Sequence, residues 1–199
     1  MKRYFYAILG MMMMFLAGAV YAWSIICIPI KTEFAMWSTA SISTCFTICM
    51  IMFCLGGILN AWILNRYKLC LSIVLCIILY CSGVGIAVLC QGNIINLYIG
   101  FGVMIGLAMG ITYNTVMGNI VLWFPECTGF ISGILLMSIG LGSFSLGKIY
   151  QAAISSGYLQ WRMLFIIYGV LILIIFLLEP YLFGAYQQEI QIWKQSVKL

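Results

Sequence analysis

An all-α, polytopic bundle of six transmembrane helices is what this sequence predicts, on three grounds. Of 199 residues, 65% are hydrophobic and only 7% charged, whereas a soluble domain carries about 25% charged residues. Apolar runs of roughly 20 residues recur along the whole length, each enough to cross a ~30 Å hydrocarbon core as a helix. The runs are uniform, without the period-2 alternation of a membrane barrel. In hydrocarbon only helices and closed barrels satisfy every backbone group, so helices remain.

The first span covers about 5–29, between Lys2-Arg3 and Pro29. Its start, with Ala17-Gly18-Ala19, imitates a cleaved signal. The apolar run continues past Trp23, however, which favours a retained first helix. Span 2 covers about 39–64. Span 3 (69–90) and span 6 (163–184) offer nothing polar beyond Ser and Tyr until Glu179, which sits near the cytoplasmic end of span 6 and reads as interfacial; such helices suit a lipid-facing periphery. Span 4 (96–122) differs, because Gly102, Gly106, Gly110, Asn114 and Gly118 recur every fourth residue. Such a small-residue ridge lets another backbone approach closely. Beside it lie Thr112, Tyr113 and Asn119, whose polar groups require partners or a wet cavity. Spans 1 and 4 therefore belong in the interior. Span 5 covers 130–154 and carries Lys148, for which snorkelling to the interface outweighs substrate binding. The six spans form one domain, 1–184. In the tail, 185–199, Ile190, Trp193 and Val197 share a helical face. An interfacial amphipathic helix and a disordered polar end both fit it.

Charge sets direction and excludes functions. With the N-terminus inside, Lys2, Arg3, Arg66, Lys68, Lys194 and Lys198 are cytoplasmic, and Lys31 and Arg162 lie outside. That asymmetry places both termini in the cytoplasm of a multi-pass plasma-membrane protein. The net charge of +5 is dispersed along the ends of the runs, so it is no nucleic-acid surface. Nine cysteines sit mostly inside apolar runs, with no histidine and no CxxC pair; they read as small packing residues rather than a metal or disulfide framework. Paired acids, a Ser/His or Cys/His set and a phosphate loop are all missing, so neither catalytic residues, a metal nor a cofactor is expected.

Span 1 contains Gly18-Ala19-Val20-Tyr21 and span 4 contains Gly110-Ile111-Thr112-Tyr113, each with a proline near its far end (Pro29, Pro125). The two spans run in opposite directions, as a 3+3 inverted repeat requires. Coincidence between common residues is the alternative.

Several segments together resemble oxalate/formate antiporter-type members of the major facilitator superfamily. They are Tyr21-Ala22-Trp23-Ser24, Phe34-Ala35-Met36-Trp37-Ser38, Phe46-Thr47-Ile48, Trp123-Phe124-Pro125 and Trp161-Arg162-Met163-Leu164-Phe165. The resemblance implies the N-terminal six-helix half of a twelve-helix secondary transporter that moves small mono- or dicarboxylates by alternating access. It also implies that helices 1 and 4 line the path, with Tyr21, Trp23, Ser24, Thr112, Tyr113 and Asn114 as candidates. Tyr21 and Tyr113 would then donate hydrogen bonds to a carboxylate; packing against neighbouring helices is the competing role.

Two departures fall in the gating loops. In the loop between helices 2 and 3, Asn65 stands where the family has an acid, followed by Arg66. Between helices 4 and 5, Glu126 keeps the acid but the usual cations are gone. The family's substrate-charge-matching cations are expected in a second half, so a lone half is expected to need either a C-terminal six-helix half or a second copy of itself. A truncated or split carrier and a non-transporting scaffold derived from one are both consistent with these residues. The expected surroundings are the lipid bilayer, a small organic anion where transport occurs, and no nucleic acid.

Overall fold

The computed structural model describes residues 2–66, 69–157 and 160–177. Helices account for nearly all of them. Helix α1 comprises Lys2–Ala17, a 3-10 segment Gly18–Ala22, and Trp23–Glu33. Then come α2 (Thr39–Arg66) and α3 (Leu69–Val88). Helix α4 runs through Ile94–Leu97, a π segment Tyr98–Ile105, Gly106–Ile120 and a 3-10 end Val121–Trp123. A 3-10 turn Pro125–Cys127 leads into α5 (Thr128–Ser155), and α6 occupies Trp161–Leu177. Among the described residues five rods are long and apolar enough to cross a membrane, and α6 is the shorter one. Span 6 beyond Leu177, Glu179, the 185–199 tail and the side chains of Asn65 and Arg66 lie outside the described residues.

Local chemistry sets the ends. The Ser38 hydroxyl accepts from the amide of Ser41 at 3.0 Å as α2 begins, and the Asn93 side chain accepts from the amide of Ile95 at 3.0 Å to start α4; both satisfy amides that a helix start leaves unpaired. Gly157, at φ +73°, supplies the left-handed residue that ends α5. Pro29 does not stop α1 as the sequence suggested: the helix continues to Glu33, and the amide of Phe34 still reaches the Ile30 carbonyl at 2.9 Å. A proline loses its own amide bond and crowds the carbonyl four residues back, a break that membrane helices tolerate where neighbouring helices support them.

Glycines decide which helices touch. At Gly110 of α4, a Cβ would overlap the Phe53 carbonyl oxygen of α2 and lie 3.1 Å from the Gly57 amide nitrogen. At Gly18 of α1, it would overlap the Ile139 carbonyl oxygen of α5 and lie 2.9 Å from the Ser143 amide nitrogen. The contacts are reciprocal, since Gly142 of α5 sits on the Phe15 carbonyl and Gly56 of α2 on the Leu107 carbonyl. A constant shift of 92 residues turns Phe15, Gly18 and Tyr21 into Leu107, Gly110 and Tyr113. A constant shift of 86 turns Phe53, Gly56 and Gly57 into Ile139, Gly142 and Ser143. So α1 crosses α5 as α4 crosses α2, in the same register, which is the 3+3 inverted repeat at atomic resolution.

The repeat is broken in the backbone. Residues 18–22 of α1 are overwound to 3-10 geometry while residues 98–105 of α4 are underwound to π. The two irregular stretches meet through Trp23, whose ring lies 4.2 Å from that of Phe101.

The ridge on α4 is shorter than the sequence spacing suggested. A Cβ added at Gly102, Gly106 or Gly110 would meet successive turns of α2: the Cys45 carbonyl oxygen at 3.4 Å, the Cys49 carbonyl oxygen at 2.7 Å, and the Phe53 carbonyl oxygen in overlap. Gly118 faces open space. The physical reason is rotation: each four-residue step turns about 40° past a full turn of an α-helix, so Gly118, two steps beyond Gly110, has left the face that meets α2. Larger side chains continue the contact there, Asn114 over Gly57 and the buried Thr115 hydroxyl donating to the Asn60 side chain at 3.3 Å.

Burial also redistributes the expected periphery. Half of the apolar window of α1 and 56% of that of α4 are buried, so both are interior. Helix α3 is not the outermost, since it is 39% buried against 22% for α2 and 11% for α5. Of the five long helices, the two most exposed are thus the symmetry-related pair.

Candidate functional site

Side chains near the Gly18 and Gly110 crossings form the only polar wall the sequence foresaw. Tyr21 lies three residues beyond Gly18 and Tyr113 three beyond Gly110, so each sits ~5 Å from its crossing along its own axis. Because α1 and α4 are antiparallel, the two displacements are opposite. Both rings rest on one face of α2: Tyr21 edge-on to Phe46 (centroids 6.4 Å), and Tyr113 tilted on Phe53 (5.4 Å). Phe46 and Phe53 are seven residues, two turns, apart. Tyr113, Cys49 and Cys54 all lie within electrostatic range of Tyr21, which is itself 39% exposed. Ser24 and Asn114 are exposed on the same two helices. The Asn114 amide is committed in part, donating to the Gly110 carbonyl at 3.0 Å.

Two predicted members of that wall point elsewhere. Trp23 is buried against Phe101, which in turn packs on Phe165 of α6 at 6.0 Å. Thr112 is buried toward α3, its hydroxyl donating to the Ala108 carbonyl at 2.8 Å. Tyr21, Ser24, Tyr113 and Asn114 are what the fold leaves accessible. They offer two phenols, a hydroxyl and an amide: hydrogen-bond donors without charge. Lys148 is exposed on α5 next to Gly147, which abuts Ala22 and Ile25 of α1. Its depth is therefore about that of Ser24.

The Trp123-Phe124-Pro125 break closes one end of the bundle. Trp123 stacks on Tyr6 (5.8 Å, 20°), Phe124 packs on Tyr4 (5.8 Å), and the Arg3 guanidinium lies over the Phe124 ring at 5.5 Å. Glu126, in a loop without cations of its own, pairs with Arg3 at 3.8 Å. Both partners are well exposed. Arg3→Gln is therefore expected to change stability by no more than about 0.2–1 kcal/mol, an effect that fades as salt rises; thermal melts of detergent-solubilised protein at low and high salt check this.

The other end carries residues that sequence reading undervalued. Arg162 pairs with Glu33 at 2.7 Å, donates to the Val88 and Cys90 carbonyls at 3.3 and 3.2 Å, and lies over the Trp161 ring at 4.5 Å. Trp161 Nε1 also donates to Glu33. One cation thus ties the ends of α1, α3 and α6. The signal for it was available: an acid at the end of one span, and an arginine beside tryptophan at the start of another. Among the described residues, no group of three or more Cys, Asp or Glu is placed to hold a metal ion.

A helical integral membrane protein built as an inverted repeat, with an uncharged polar wall at its central crossing, has the make-up of one half of a secondary transporter. The chain belongs to the Major Facilitator Superfamily, whose family model matches residues 5–192. Membership points to a transporter rather than an enzyme. Over 82 residues the chain is 35% identical to an uncharacterized MFS-type transporter, YhjX, of Escherichia coli strain K12. The matched stretch covers 41% of this chain and 20% of that transporter.

Proposed function

We propose that this chain forms one six-helix half of an alternating-access carrier for small organic anions, of the oxalate/formate antiporter type. The carrying observation is the wall of Tyr21, Ser24, Tyr113 and Asn114, placed beside the two pseudo-symmetric crossings of α1 with α5 and of α4 with α2. Tyr21 and Tyr113 donate hydrogen bonds to a carboxylate there. Since this wall bears no charge, the cation that offsets dehydration of the anion comes from a facing unit. That unit is a C-terminal six-helix half or a second copy, docked on the exposed faces of α2 and α5. The setting is the plasma membrane, with both termini cytoplasmic and nucleic acid playing no part.

Reconstituted by itself in liposomes, the 199-residue chain is expected to give no saturable exchange of labelled oxalate, formate, lactate or pyruvate. Co-expression with a complementary six-helix half is expected to restore exchange. Tyr113→Phe then lowers it by about tenfold or more, the loss of one hydrogen bond to a charged group. Exchange that is restored but indifferent to Tyr113→Phe sinks the assignment of the wall. A second reading, a non-transporting scaffold that binds a partner through the same faces, draws on Asn65 and on the cation-free loop at Glu126. It gains if no complementary half restores transport while the α2 and α5 faces still capture one.

A further inference from the structure

We propose that the cavity between α1, α4, α5 and α6 is a site for a single phospholipid acyl chain, anchored by the Tyr150 hydroxyl. The cavity holds about 130 Å³, close to the ~150 Å³ of an engineered apolar cavity that stays dry and binds benzene. It exists because the helices cannot close there. Its inner wall comprises Ala19, Val20 and Ala22 of the overwound stretch of α1, and Phe101 and Ile105 of the underwound stretch of α4. Small side chains on a displaced backbone leave a gap that the regular parts of the repeat fill with glycine contacts.

Its mouth decides the occupant. Ile149 of α5 and Ile167 and Leu171 of α6 line the cavity and are themselves 62%, 47% and 45% exposed. These faces stand in hydrocarbon, so the phase at the mouth is lipid tails rather than water, and apolar walls accept a tail with no desolvation cost. Tyr150 lines the cavity, and its hydroxyl, just beneath the wall and shielded from solvent, has no hydrogen-bond partner. A buried donor of this kind is rare and calls for a ligand atom. Tyr150 lies five residues before the end of a 28-residue helix. At ~1.5 Å per residue that helix overreaches a ~30 Å core by several ångströms at each end, which puts Tyr150 near the hydrocarbon boundary. The glycerol ester carbonyls of a phospholipid lie at that depth, and an ester carbonyl is the acceptor the phenol lacks. The site is independent of any transported solute.

The test uses the full chain in phosphatidylethanolamine/phosphatidylglycerol vesicles doped with a phospholipid bearing a mid-chain diazirine. After illumination, mass spectrometry is expected to find adducts on Phe101, Ile105 and Phe165, all shielded from the surrounding bilayer. Leu146→Phe and Leu164→Trp, which fill the cavity from two different helices, are expected to cut those adducts several-fold. Adducts on the exposed α3 residues Val74 and Ile78 stay unchanged as an internal reference, and a melt equal to the parent's reports that each variant is folded. Tyr150→Phe is expected to lower the amount of lipid kept through detergent washing while leaving the adduct positions the same. Adducts confined to exposed side chains overturn the proposal, as does labelling of Phe101 and Ile105 that persists in both filled variants. A benzophenone amino acid at position 149 that yields protein dimers in place of lipid adducts assigns the groove to a second copy, and overturns it equally.

Discussion

Gly110→Leu is expected to abolish stable folding, whereas Gly118→Leu, two turns along the same helix, is expected to leave it intact. At Gly110 the first added carbon meets the Phe53 carbonyl, a backbone atom that cannot swing aside. The two helices would have to separate, and α2 carries Gly56 and Gly57 into the same crossing, so the separation would spread over two further contacts. Overpacking of this kind costs upwards of about 3 kcal/mol, a large part of the 5–15 kcal/mol that holds a protein together. At Gly118 nothing lies within 4 Å of the added carbon, and a change there belongs with surface substitutions, within about 0.5 kcal/mol of neutral. The inverted repeat makes the expectation double: Gly142→Leu, which drives a side chain into the Phe15 carbonyl of α1, should fail as Gly110→Leu does. Size-exclusion profiles and melting of detergent-solubilised variants read the difference. A monodisperse Gly110→Leu protein that melts with the parent would refute the crossing.

Much of this was legible in the chain. Composition alone gave a helical membrane bundle, because 7% charge and long apolar runs leave no other way to satisfy a backbone in lipid. The Gly-x-x-Tyr likeness between residues 18–21 and 110–113 was enough to propose the repeat, because a close crossing needs glycine at one fixed register. What spacing could not convey is direction around the helix. Trp23 and Thr112 sit one or two residues from Tyr21 and Tyr113, yet a turn of ~100° per residue sends one into the packing under α6 and the other toward α3. The ridge ended before Gly118 for another reason: a four-residue spacing drifts about 40° per step round an α-helix, and that drift has carried Gly118 off the α2 face.

The exposed faces of α2 and α5 have a similar explanation. Their sequences are less apolar than that of α3, so hydropathy alone sends α3 rather than α2 or α5 to the periphery. The repeat separates them. The α1·α5 and α2·α4 crossings consume one glycine-bearing stripe on α2 and on α5, and leave the opposite stripe of each, with Ile58 and Phe144 at its centre, uncovered in symmetric positions. A pair of equivalent apolar faces on a pseudo-two-fold unit suits a partner with the same architecture, which is why the proposed facing unit is placed there.

Arg162→Leu is expected to be the most damaging change outside the glycine crossings, at roughly 2–3 kcal/mol. The guanidinium uses its fork fully: a 2.7 Å ion pair to Glu33, two carbonyl acceptors on α3, and a flat face over Trp161. Leucine keeps the stem and removes all of it, leaving the Glu33 carboxylate with Trp161 Nε1 alone and two helix-end carbonyls with no donor from Arg162. Bonds to a charged group contribute about 1.5–3 kcal/mol each when buried. Here the pair is 27% and 38% exposed, and water discounts that sum to about the figure given. Arg162→Lys should recover less than half, because an ammonium supplies the charge but not a planar fork spanning α1 and α3. Glu33→Gln separates charge from geometry: the amide oxygen still accepts from Trp161, so the loss should be smaller than for Arg162→Leu. In the double variant the two losses should not add, since both remove the same interaction. Melting of the four proteins gives the coupling directly. Losses that add independently, or an Arg162→Leu protein as stable as the parent, would mean that Arg162 serves only to mark the end of a span, and that the tie between α1, α3 and α6 is carried by Trp161, Phe34 and their neighbours.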